Sequence, residues 1–324
     1  MQDWSETAQL QAICLRVHAD HPRLQRVTRT FLDPLVIRER QPTELLEFFL
    51  HLRLNGDRPL PAPSGPPTEL QFVNVACFRA GDTLSFRTKD GSGLDADVAT
   101  GRASGTLTPD LTLRRHVFAD LLLAPLMEML KRRGYYGLHA AALCRQGTGY
   151  LFPANAGQGK TTIGLGLLQR GFQYLADDKV LLQQQDGEIA ALAFTRRFNI
   201  DPDIADRYQE LGFITGLEPL PLTTKRPVDV SEVYPDSFAP RFRPTFIIHL
   251  RRTPTSRSRI APLTPAESFA RLVRQTILAF DRPTATRQLQ LLGRLAGRAH
   301  NYLLDNGNDL YGEPDRLLEL LPHP

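Results

Sequence analysis

The stretch LFPANAGQGKTTIGLGLLQRG, residues 151–171, constrains the fold of this chain more than any other feature. An apolar run leads into a loop with two closely spaced glycines, and a helical run then extends from Lys160 to Arg170 and stops at Gly171. Backbone N–H groups in such a loop can curl around an anion, and the helix dipole favours negative charge at the same end. The pattern predicts a phosphate-binding loop between a strand and a helix.

The residues of this loop have separate expected roles. The full pattern is Gly-x-x-x-x-Gly-Lys-[Ser/Thr], and Ala154 replaces its first glycine, a position that needs mainly a small residue. Lys160 is expected to reach the β- and γ-phosphates, and the Thr161 hydroxyl to bind Mg²⁺. An ordinary strand-to-helix turn with an exposed lysine is the alternative. The expected nucleotide-binding residues are Asn155, Ala156, Gly157, Gln158, Gly159, Lys160, Thr161 and Thr162.

Two adjacent aspartates, Asp177 and Asp178, follow a short strand-like run. In phosphoryl transfer one carboxylate can hold the metal ion, while a second accepts the proton of the attacking hydroxyl group. Neighbouring residues of a strand point to opposite faces, so the two aspartates are not expected to share one role. A plain Asp-Asp turn at a strand end is the alternative interpretation.

His139 and four basic residues complete the set of candidates. A lone histidine in an apolar run is most often a core residue, but the run around His139 adjoins the loop strand, so its imidazole could bond a phosphate or a carboxylate. Charge that develops on a transferred phosphoryl group needs cations beyond Lys160. Solvated surface charges are the alternative for these candidate cations, which are Arg196, Arg197, Lys225 and Arg226.

The N-terminal part of the chain predicts a separate α+β domain, residues 1–130. It combines a strand (AICLRV), a helix-like run (TELLEFFLHLRL) and the tract DRPLPAPSGPPTE, which predicts a linker or long loop. Short alternating runs from Leu70 to about Thr112 predict a small antiparallel sheet, and a buried helix is expected at 115–132. We expect this domain to recognise a substrate or partner.

Residues 131–324 predict the nucleotide-binding domain. Extended runs at 138–144 and 149–154 flank the loop, and KVLLQQ turns at Asp186-Gly187 into EIAALAF. Two strands joined by two residues imply a mixed sheet. Farther on, PTFIIHLRR predicts a strand, residues 264–267 form a helix-capping signature, and a last helix is expected at 285–298.

Composition limits the classes of partner and compartment. At 324 residues with a net charge of +4, the chain is expected to be globular and not to bind nucleic acid. Its three cysteines, at 14, 77 and 144, lie in separate apolar runs and predict buried thiols. No export signal and no bilayer-spanning run are evident, which predicts a cytoplasmic protein. The oligomeric state stays open, a homo-oligomer included.

His139, the loop lysine 21 residues later, and the aspartates 17 and 18 residues after that lysine together resemble a known family. They look like the C-terminal catalytic domain of HPr kinase/phosphorylase and the HPr-kinase-related serine kinases, as do the stretches LHAAAL, GKTTIGLGLLQRGFQYLADDKVLL and KRPVDV. The fold of that domain is similar to the nucleotide-binding core of phosphoenolpyruvate carboxykinase. The resemblance covers roughly residues 135–315 and implies an α/β fold with a mixed sheet and a P-loop core.

The resemblance also implies a chemistry. It implies an ATP- and Mg²⁺-dependent kinase that phosphorylates a hydroxyl of a peptide or small protein, and a serine is the expected acceptor. His139, Lys160 and Asp177 are implied as catalytic residues, with Asp177 as the base, and Asp178 is expected to act with Thr161 on the metal. The HPr enzymes carry an acidic residue where this chain has Thr162, and a Glu-Arg-Gly signature where it has FTRRFNIDPD. The resemblance thus supports phosphorylation by ATP more than it supports HPr as the substrate.

Two other functions remain open at this point. One is a small-molecule kinase on the ordinary P-loop fold, whose sheet is parallel and whose acidic residues favour the pattern Asp-x-Asp. The other is a nucleotide sensor or scaffold that binds nucleotide without turnover, which Ala154 and Thr162 motivate.

Overall fold

The computed structural model describes residues 4–35, 41–54, 60, 63, 67–68, 74–205, 207–220, 223–312 and 315–323. The chain forms two compact units that divide between Arg133 and Gly134, whereas the boundary expected from the sequence follows residue 130. Each unit is built on a mixed sheet with helices, so the fold is mixed α/β. Among the described residues, no helix is long and apolar enough to cross a membrane.

The N-terminal unit has, within its described residues, one sheet and two α-helices. The elements are β1 (Ser5–Leu10), β2 (Ile13–Ala19), α1 (Pro22–Leu32), β3 (Glu44–Leu52), β4 (Pro67–Thr68), β5 (Val75–Ala80), β6 (Thr83–Thr88), β7 (Gly93–Asp97), β8 (Arg102–Leu107) and α2 (Arg115–Arg132). The order in the sheet is β1-β2-β3-β8-β7-β6-β5-β4, with β3 parallel to both β2 and β8. Helix α1 packs on β1 to β3, and α2 packs on β5 to β7.

The helix predicted for TELLEFFLHLRL is wrong, because this run forms strand β3. Leu46, Phe48 and Leu50 alternate into the core, and Phe49 is 39% exposed. That two-residue period fits a strand with one buried face. Pairing with a parallel strand on each side outweighs the helix propensity of leucine and glutamate.

Three other expectations for this unit can be compared with the structure. The linker or long loop predicted for DRPLPAPSGPPTE, residues 57–69, contains a short strand, because Pro67–Thr68 form β4; most of the remaining tract lies outside the described residues. The antiparallel sheet predicted from Leu70 is confirmed in β5 to β8, although residues 70–73 lie outside the described residues. Cys77 and, in the C-terminal unit, Cys144 are buried as predicted, whereas Cys14 is partly exposed.

The C-terminal unit carries the predicted loop on a second mixed sheet. The strands of this unit are β9 (Tyr136–Arg145), β10 (Thr148–Pro153), β11 (Gln173–Ala176), β12 (Lys179–Gln185), β13 (Glu188–Ala193), β14 (Arg197–Ile200), β15 (Arg226–Asp229), β16 (Arg241–Phe242), β17 (Pro244–Arg252), β18 (Arg259–Pro262) and β19 (His300–Asn306). Strands β14 and β15 pair with each other in a separate two-stranded sheet. Its α-helices are α3 (Lys160–Leu168), α4 (Pro202–Ala205), α5 (Pro265–Val273), α6 (Arg282–Arg298), α7 (Asp309–Gly312) and α8 (Asp315–Leu320).

The strand directions in this sheet decide between two kinds of loop-bearing fold. The described strands run in the order β16-β13-β12-β9-β10-β17-β19-β18, and β11 also pairs with β9. The loop strand β10 is antiparallel to β9 and parallel to β17. An antiparallel neighbour beside the loop strand confirms the predicted mixed sheet and disfavours the parallel sheet of the ordinary P-loop fold.

Local sequence signals define several of these boundaries. Asp186 and Gly187 both have positive φ, of 51° and 80°, which fits the predicted two-residue turn between β12 and β13. The Thr264 side chain accepts from the Glu267 N–H, and the Glu267 carboxylate accepts from the Thr264 N–H, so the predicted capping box of α5 is confirmed. Helix α3 packs apolar side chains, Ile163 among them, against a buried cluster that includes Phe152.

Candidate active site

The loop between β10 and α3 has the backbone that an anion site requires. Gly157 and Gly159 have φ values of 77° and 97°, which side chains with a Cβ rarely adopt. Ala154, which replaces the first glycine of the pattern, is buried and has no positive φ, so the substitution does not strain the entry to the loop. The loop leads directly into the first turn of α3, whose N–H groups have no partner within the helix.

Lys160 is held at the base of this loop. Its side chain is 7% exposed, and its Nζ donates to the carbonyl oxygens of Ala154 at 2.7 Å and Asn155 at 3.2 Å. The same Nζ lies 2.6 Å from Nε2 of His139. Burial lowers the pKa of Lys160, while Asp178 and Asp177 oppose that shift. All three N–H groups of the ammonium thus have acceptors.

His139 and Asp178 lie beside the lysine because of the strand register. Residue 139 of β9 pairs with Lys179 of β12, and the Ala140 N–H donates to the Asp178 carbonyl at 3.1 Å. His139 Nε2 is 3.4 Å and Lys160 Nζ is 3.8 Å from Asp178 Oδ1. The Asp178 side chain is 47% exposed, so a substrate can reach it.

The imidazole of His139 favours its neutral form. Burial lowers its pKa, the Asp178 charge opposes this, and nearby lysines, Lys160 first among them, add to it. A neutral ring can accept the Lys160 proton at Nε2 and then carries its own proton on Nδ1. With Nε2 as the acceptor, His139 bonds the loop lysine and cannot also donate from that atom to the Asp178 carboxylate.

Asp177 occupies a different environment from Asp178. It is 4% exposed, and its Oδ2 accepts from the Asn199 N–H at 3.1 Å. Its Oδ1 is also buried and has no hydrogen-bond partner of normal geometry among the described residues. Burial raises the pKa of Asp177 to about 6, and Asp178 adds to the shift, whereas the Asn199 N–H and the Thr161 hydroxyl lower it. The two aspartates therefore differ in both accessibility and bonding.

The remaining loop residues are tied to distant parts of the unit. Asn155, Ala156 and Gly157 are exposed; Asn155 Oδ1 accepts from Gln275 Nε2 at 2.8 Å. Gln158 Oε1 accepts from the backbone N–H of residue 252 at 2.6 Å, and its carbonyl accepts from Asn306 Nδ2 at 3.1 Å. Thr161 and Thr162, in the first turn of α3, are half-buried.

The four basic residues predicted as additional phosphate-binding cations have different neighbours in the structure. The charge of Lys225 acts on His139, Lys160 and Asp177 and shifts the pKa of each, so this lysine shares their surroundings. By contrast, Arg196 lies 3.8 Å from Asp229, and Arg226 donates to the carbonyl of residue 224. Arg197 lies at the start of β14. Lys225 is the candidate that the structure brings into the site's electrostatic field.

The site contains no preformed cage of protein ligands for a metal. Among the described residues no group of three or more His, Cys, Asp or Glu side chains is arranged to hold a metal ion. Mg²⁺ in phosphoryl-transfer sites typically uses one or two protein oxygens together with substrate phosphates and water. The unpartnered Oδ1 of Asp177 and the nearby Thr161 hydroxyl fit that smaller requirement.

Comparisons with known proteins add little to this geometry. No protein-family model matches the chain, and no curated protein matches it. Among solved structures, the Hpr(Ser) kinase/phosphatase from Coxiella burnetii is similar over 40% of this chain and 71% of its own, at 20% sequence identity and a TM-score of 0.28. A likeness this slight carries no functional argument.

Proposed function

We propose that this protein is a kinase that transfers the terminal phosphoryl group of ATP to a hydroxyl group. The observation that carries the proposal is the convergence of Lys160, His139 and Asp178 at the N-terminal end of α3, with atoms 2.6–3.8 Å apart. Phosphoryl transfer requires mainly positioning and charge neutralisation, and this cluster offers a cation, an accessible carboxylate and free backbone N–H groups.

Nucleotide binding in this proposal depends on an exchange of partners by Lys160. Its ammonium now donates to two loop carbonyls, which are neutral acceptors. A charged phosphate is a stronger acceptor and would compete for those N–H groups. The positive-φ glycines let the backbone approach the phosphates closely. Lys225 would add a second positive charge near the transferred group.

Thr161 and Asp177 would hold Mg²⁺. An unpartnered buried oxygen is costly, and a divalent cation would supply the contact that Asp177 Oδ1 lacks. The cation would also oppose the burial that raises the pKa of this carboxyl. Once bound, the ion neutralises charge on the phosphate oxygens.

Asp178 would act as the general base. The acceptor O–H attacks the terminal phosphorus, its proton passes to the Asp178 carboxylate, and the bond to the nucleoside diphosphate breaks. Asp178 is accessible, whereas Asp177 is 4% exposed and bonded to the backbone, so an acceptor could not easily reach it. The proposal thus exchanges the roles that the sequence suggested for these two residues. His139 would position Lys160 through its Nε2.

The acceptor is proposed on the family resemblance to be a serine of a peptide or small protein, in the cytoplasm. A nucleotide sensor is the second candidate, because the ammonium of Lys160 is fully occupied by protein acceptors. ATP consumption with and without candidate acceptors separates the two, because a sensor binds nucleotide without turnover. The antiparallel neighbour of β10 weighs against an ordinary P-loop small-molecule kinase.

The direct test of the proposal is Lys160→Ala. We expect it to weaken ATP and tripolyphosphate binding at least about tenfold and to abolish turnover, because the phosphates lose a partly buried cation. Lys89→Ala, which removes an exposed lysine in the N-terminal unit, is the matched control and should keep both properties. Normal ATP affinity in a folded Lys160→Ala protein would exclude this loop as the nucleotide site.

A further inference from the structure

Helix α6 (Arg282–Arg298), in the C-terminal unit, carries positive charge and no negative charge. Its sequence, RPTATRQLQLLGRLAGR, contains four arginines and neither aspartate nor glutamate. All four arginines are exposed, namely Arg282, Arg287, Arg294 and Arg298. Among the described residues, none of the four forms an ion pair with a carboxylate. The helix therefore presents uncompensated positive charge to solvent.

Three of these guanidinium groups donate to neutral oxygens of the chain. The bonds join Arg287 to the Thr284 hydroxyl at 2.9 Å, Arg294 to Gln184 Oε1 at 2.6 Å, and Arg298 to the carbonyl of Gly187. A neutral acceptor orients a guanidinium group without cancelling its charge. Each bond uses one nitrogen of the group, whereas a guanidinium has five N–H donors in a planar fork that matches a carboxylate. The three side chains are thus held in place and can still bind an anion.

Arg287, Arg294 and Arg298 form one stripe along α6. They are 7 and 4 residues apart in turn, so at about 100° per residue they lie within about 40° of one another and span about 16 Å of the helix axis. Beside the stripe runs a row of smaller exposed residues, which are Thr286, Gln290, Gly293 and Gly297. A Cβ at Gly297 would meet no other atom within 4 Å. The row is a low strip of surface bordered by positive charge.

Several of these features weaken α6 as a helix. Arg294 and Arg298 are like charges at i and i+4, which repel each other. Arg282, at the first helical position, lies at the positive end of the helix dipole. Gly293 has no positive φ, and a Cβ there would lie 4.0 Å from Phe269, yet glycine lowers helix stability relative to alanine. No contact among the described residues requires these features, so a molecule outside the chain is the better explanation for them.

The chemistry of the exposed face narrows the class of partner. No large apolar or aromatic side chain of α6 is exposed. A helix that lies in a membrane surface needs apolar side chains on its buried face, and single-stranded nucleic acid needs aromatic side chains for base stacking. Another helix, by contrast, approaches most closely where small residues leave space, at interaxial distances of about 8–10 Å. Positive charge beside such a strip favours a helix that carries carboxylates.

We propose that the exposed face of α6 binds an acidic helix of a partner protein. The backbone of that helix would lie along Gly293 and Gly297, and its glutamate or aspartate side chains would pair with Arg287, Arg294 and Arg298. Carboxylates that recur every three or four residues share one face of a helix and so match the arginine stripe. The interaction needs no nucleotide and does not rest on the proposed kinase reaction.

The test uses two synthetic alanine-rich peptides of about 20 residues, long enough to form helices, with the same number of glutamates. In one the glutamates lie on one face, and in the other they are distributed around the helix. At low ionic strength and without nucleotide, the wild type should bind the one-faced peptide more tightly than the other. Arg287→Gln/Arg294→Gln/Arg298→Gln should bind the one-faced peptide at least about tenfold more weakly than the wild type. Equal binding of both peptides, or equal binding by wild type and variant, would overturn the proposal.

Helix α1 supplies a matched control in the N-terminal unit. It also has no acidic residue and has three exposed arginines, which are Arg23, Arg26 and Arg29. Unlike α6, it contains no glycine, and Arg29 pairs with Glu6. Arg23→Gln/Arg26→Gln/Arg29→Gln removes the same charge and should keep the affinity for the one-faced peptide within about twofold. An equal loss in this variant would show that net charge alone attracts the peptide, and the docking surface on α6 would be wrong.

Gly293→Leu separates a close helix contact from attraction by charge. Leucine is a better helix former than glycine, so the melting temperature should rise or stay the same. The larger side chain fills the strip, so the affinity for the one-faced peptide should fall at least about tenfold. A loss of binding without a loss of stability excludes unfolding as its cause. Unchanged affinity in this variant would contradict a partner helix that lies along Gly293 and Gly297.

Two other polyanions test the class of partner. Single-stranded RNA with the same net charge as the peptide, and vesicles of anionic phospholipid, should each bind the wild type more weakly than the one-faced peptide does. If either binds more tightly than the peptide and loses that affinity in the arginine variant of α6, this face binds a nucleic acid or a membrane, and the proposal is overturned.

Discussion

Two nearly buried carboxylates, Asp90 in the N-terminal unit and Asp177 in the C-terminal unit, differ in how far hydrogen bonds stabilise their negative charge. Asp90 lies in the turn between β6 and β7, and its side chain is 8% exposed. It accepts hydrogen bonds from the Ser92 N–H at 3.0 Å, from the Thr108 hydroxyl at 3.0 Å and from the Thr88 hydroxyl. Burial alone would raise the pKa of Asp90, but these hydrogen bonds outweigh it, and the pKa is lowered.

Asp177 lies between strands β11 and β12, and there burial outweighs the hydrogen bonds. One N–H, from Asn199, bonds one oxygen, the other oxygen has no hydrogen-bond partner of normal geometry among the described residues, and burial raises the pKa to about 6. A satisfied carboxylate stabilises a turn, whereas a half-satisfied one weakens the fold where it lies. The difference suggests that Asp90 serves the fold and Asp177 serves a ligand.

The largest expected effect separates Asp177 from its neighbour Asp178. Asp178→Asn should lower turnover by about 10²–10⁴ while nucleotide still binds, because the acceptor loses its general base. Asp177→Asn should instead raise the Mg²⁺ concentration needed for nucleotide binding. Turnover and nucleotide affinity measured over a range of Mg²⁺ concentrations check both. If both variants are active and have equal Mg²⁺ dependence, neither carboxylate is catalytic and the sensor becomes the better interpretation.

The next effect concerns the stability of the C-terminal unit. With a folded pKa of about 6, against 3.8 normally, Asp177 is neutral in both states at low pH. The unfolded chain releases this proton from about pH 3.8, while the folded unit holds it up to about pH 6, so stability falls between those values and stays lower above them. Asp177→Asn should therefore raise the free energy of unfolding by about 2–3 kcal/mol at pH 8 and leave it unchanged well below pH 3.8.

Amide hydrogen exchange in β9 and β12 measures this effect in the correct unit. Asp178→Asn serves as the control, because that side chain is 47% exposed and its neutralisation should change the exchange far less. Loss of stability in Asp177→Asn at pH 8 would mean that the carboxylate is better paired than its contacts indicate, and the contrast with Asp90 would fail.

The sequence correctly predicted the loops, turns and helix caps that depend on a few neighbouring residues. The glycine loop, the turn at Asp186-Gly187 and the cap at Thr264 each require a particular residue type at a particular φ or donor position. The run that forms β3 has a helix-like composition, and it is a strand because it pairs with β2 and β8, of which β8 is distant in sequence. Long-range pairing is not visible in a local window.

Contacts between residues far apart in sequence also explain why two residues that bond the loop were not predicted. Spacing brought His139, Lys160 and the aspartates together as candidates, but Gln275 and Asn306 reach the loop from far along the chain. Nothing near those two residues in sequence marks them. Alternation along a strand predicted that Asp177 and Asp178 face different surroundings, but only burial shows which of them a substrate can reach.

The smallest expected effect tests the other half of the comparison, in the N-terminal unit. Asp90→Asn should lower the free energy of unfolding by about 1–3 kcal/mol at neutral pH, because three donors lose a charged acceptor. The folded pKa of Asp90 is lowered, so its stabilisation is present above the unfolded pKa and is lost as pH falls through the folded value. The loss caused by Asp90→Asn should therefore shrink below about pH 4.

Trp4, the single tryptophan, reports urea unfolding of this unit, and the exposed Asp110→Asn is the control. An equal loss at both ends of the pH range would show that shape, not charge, holds the turn.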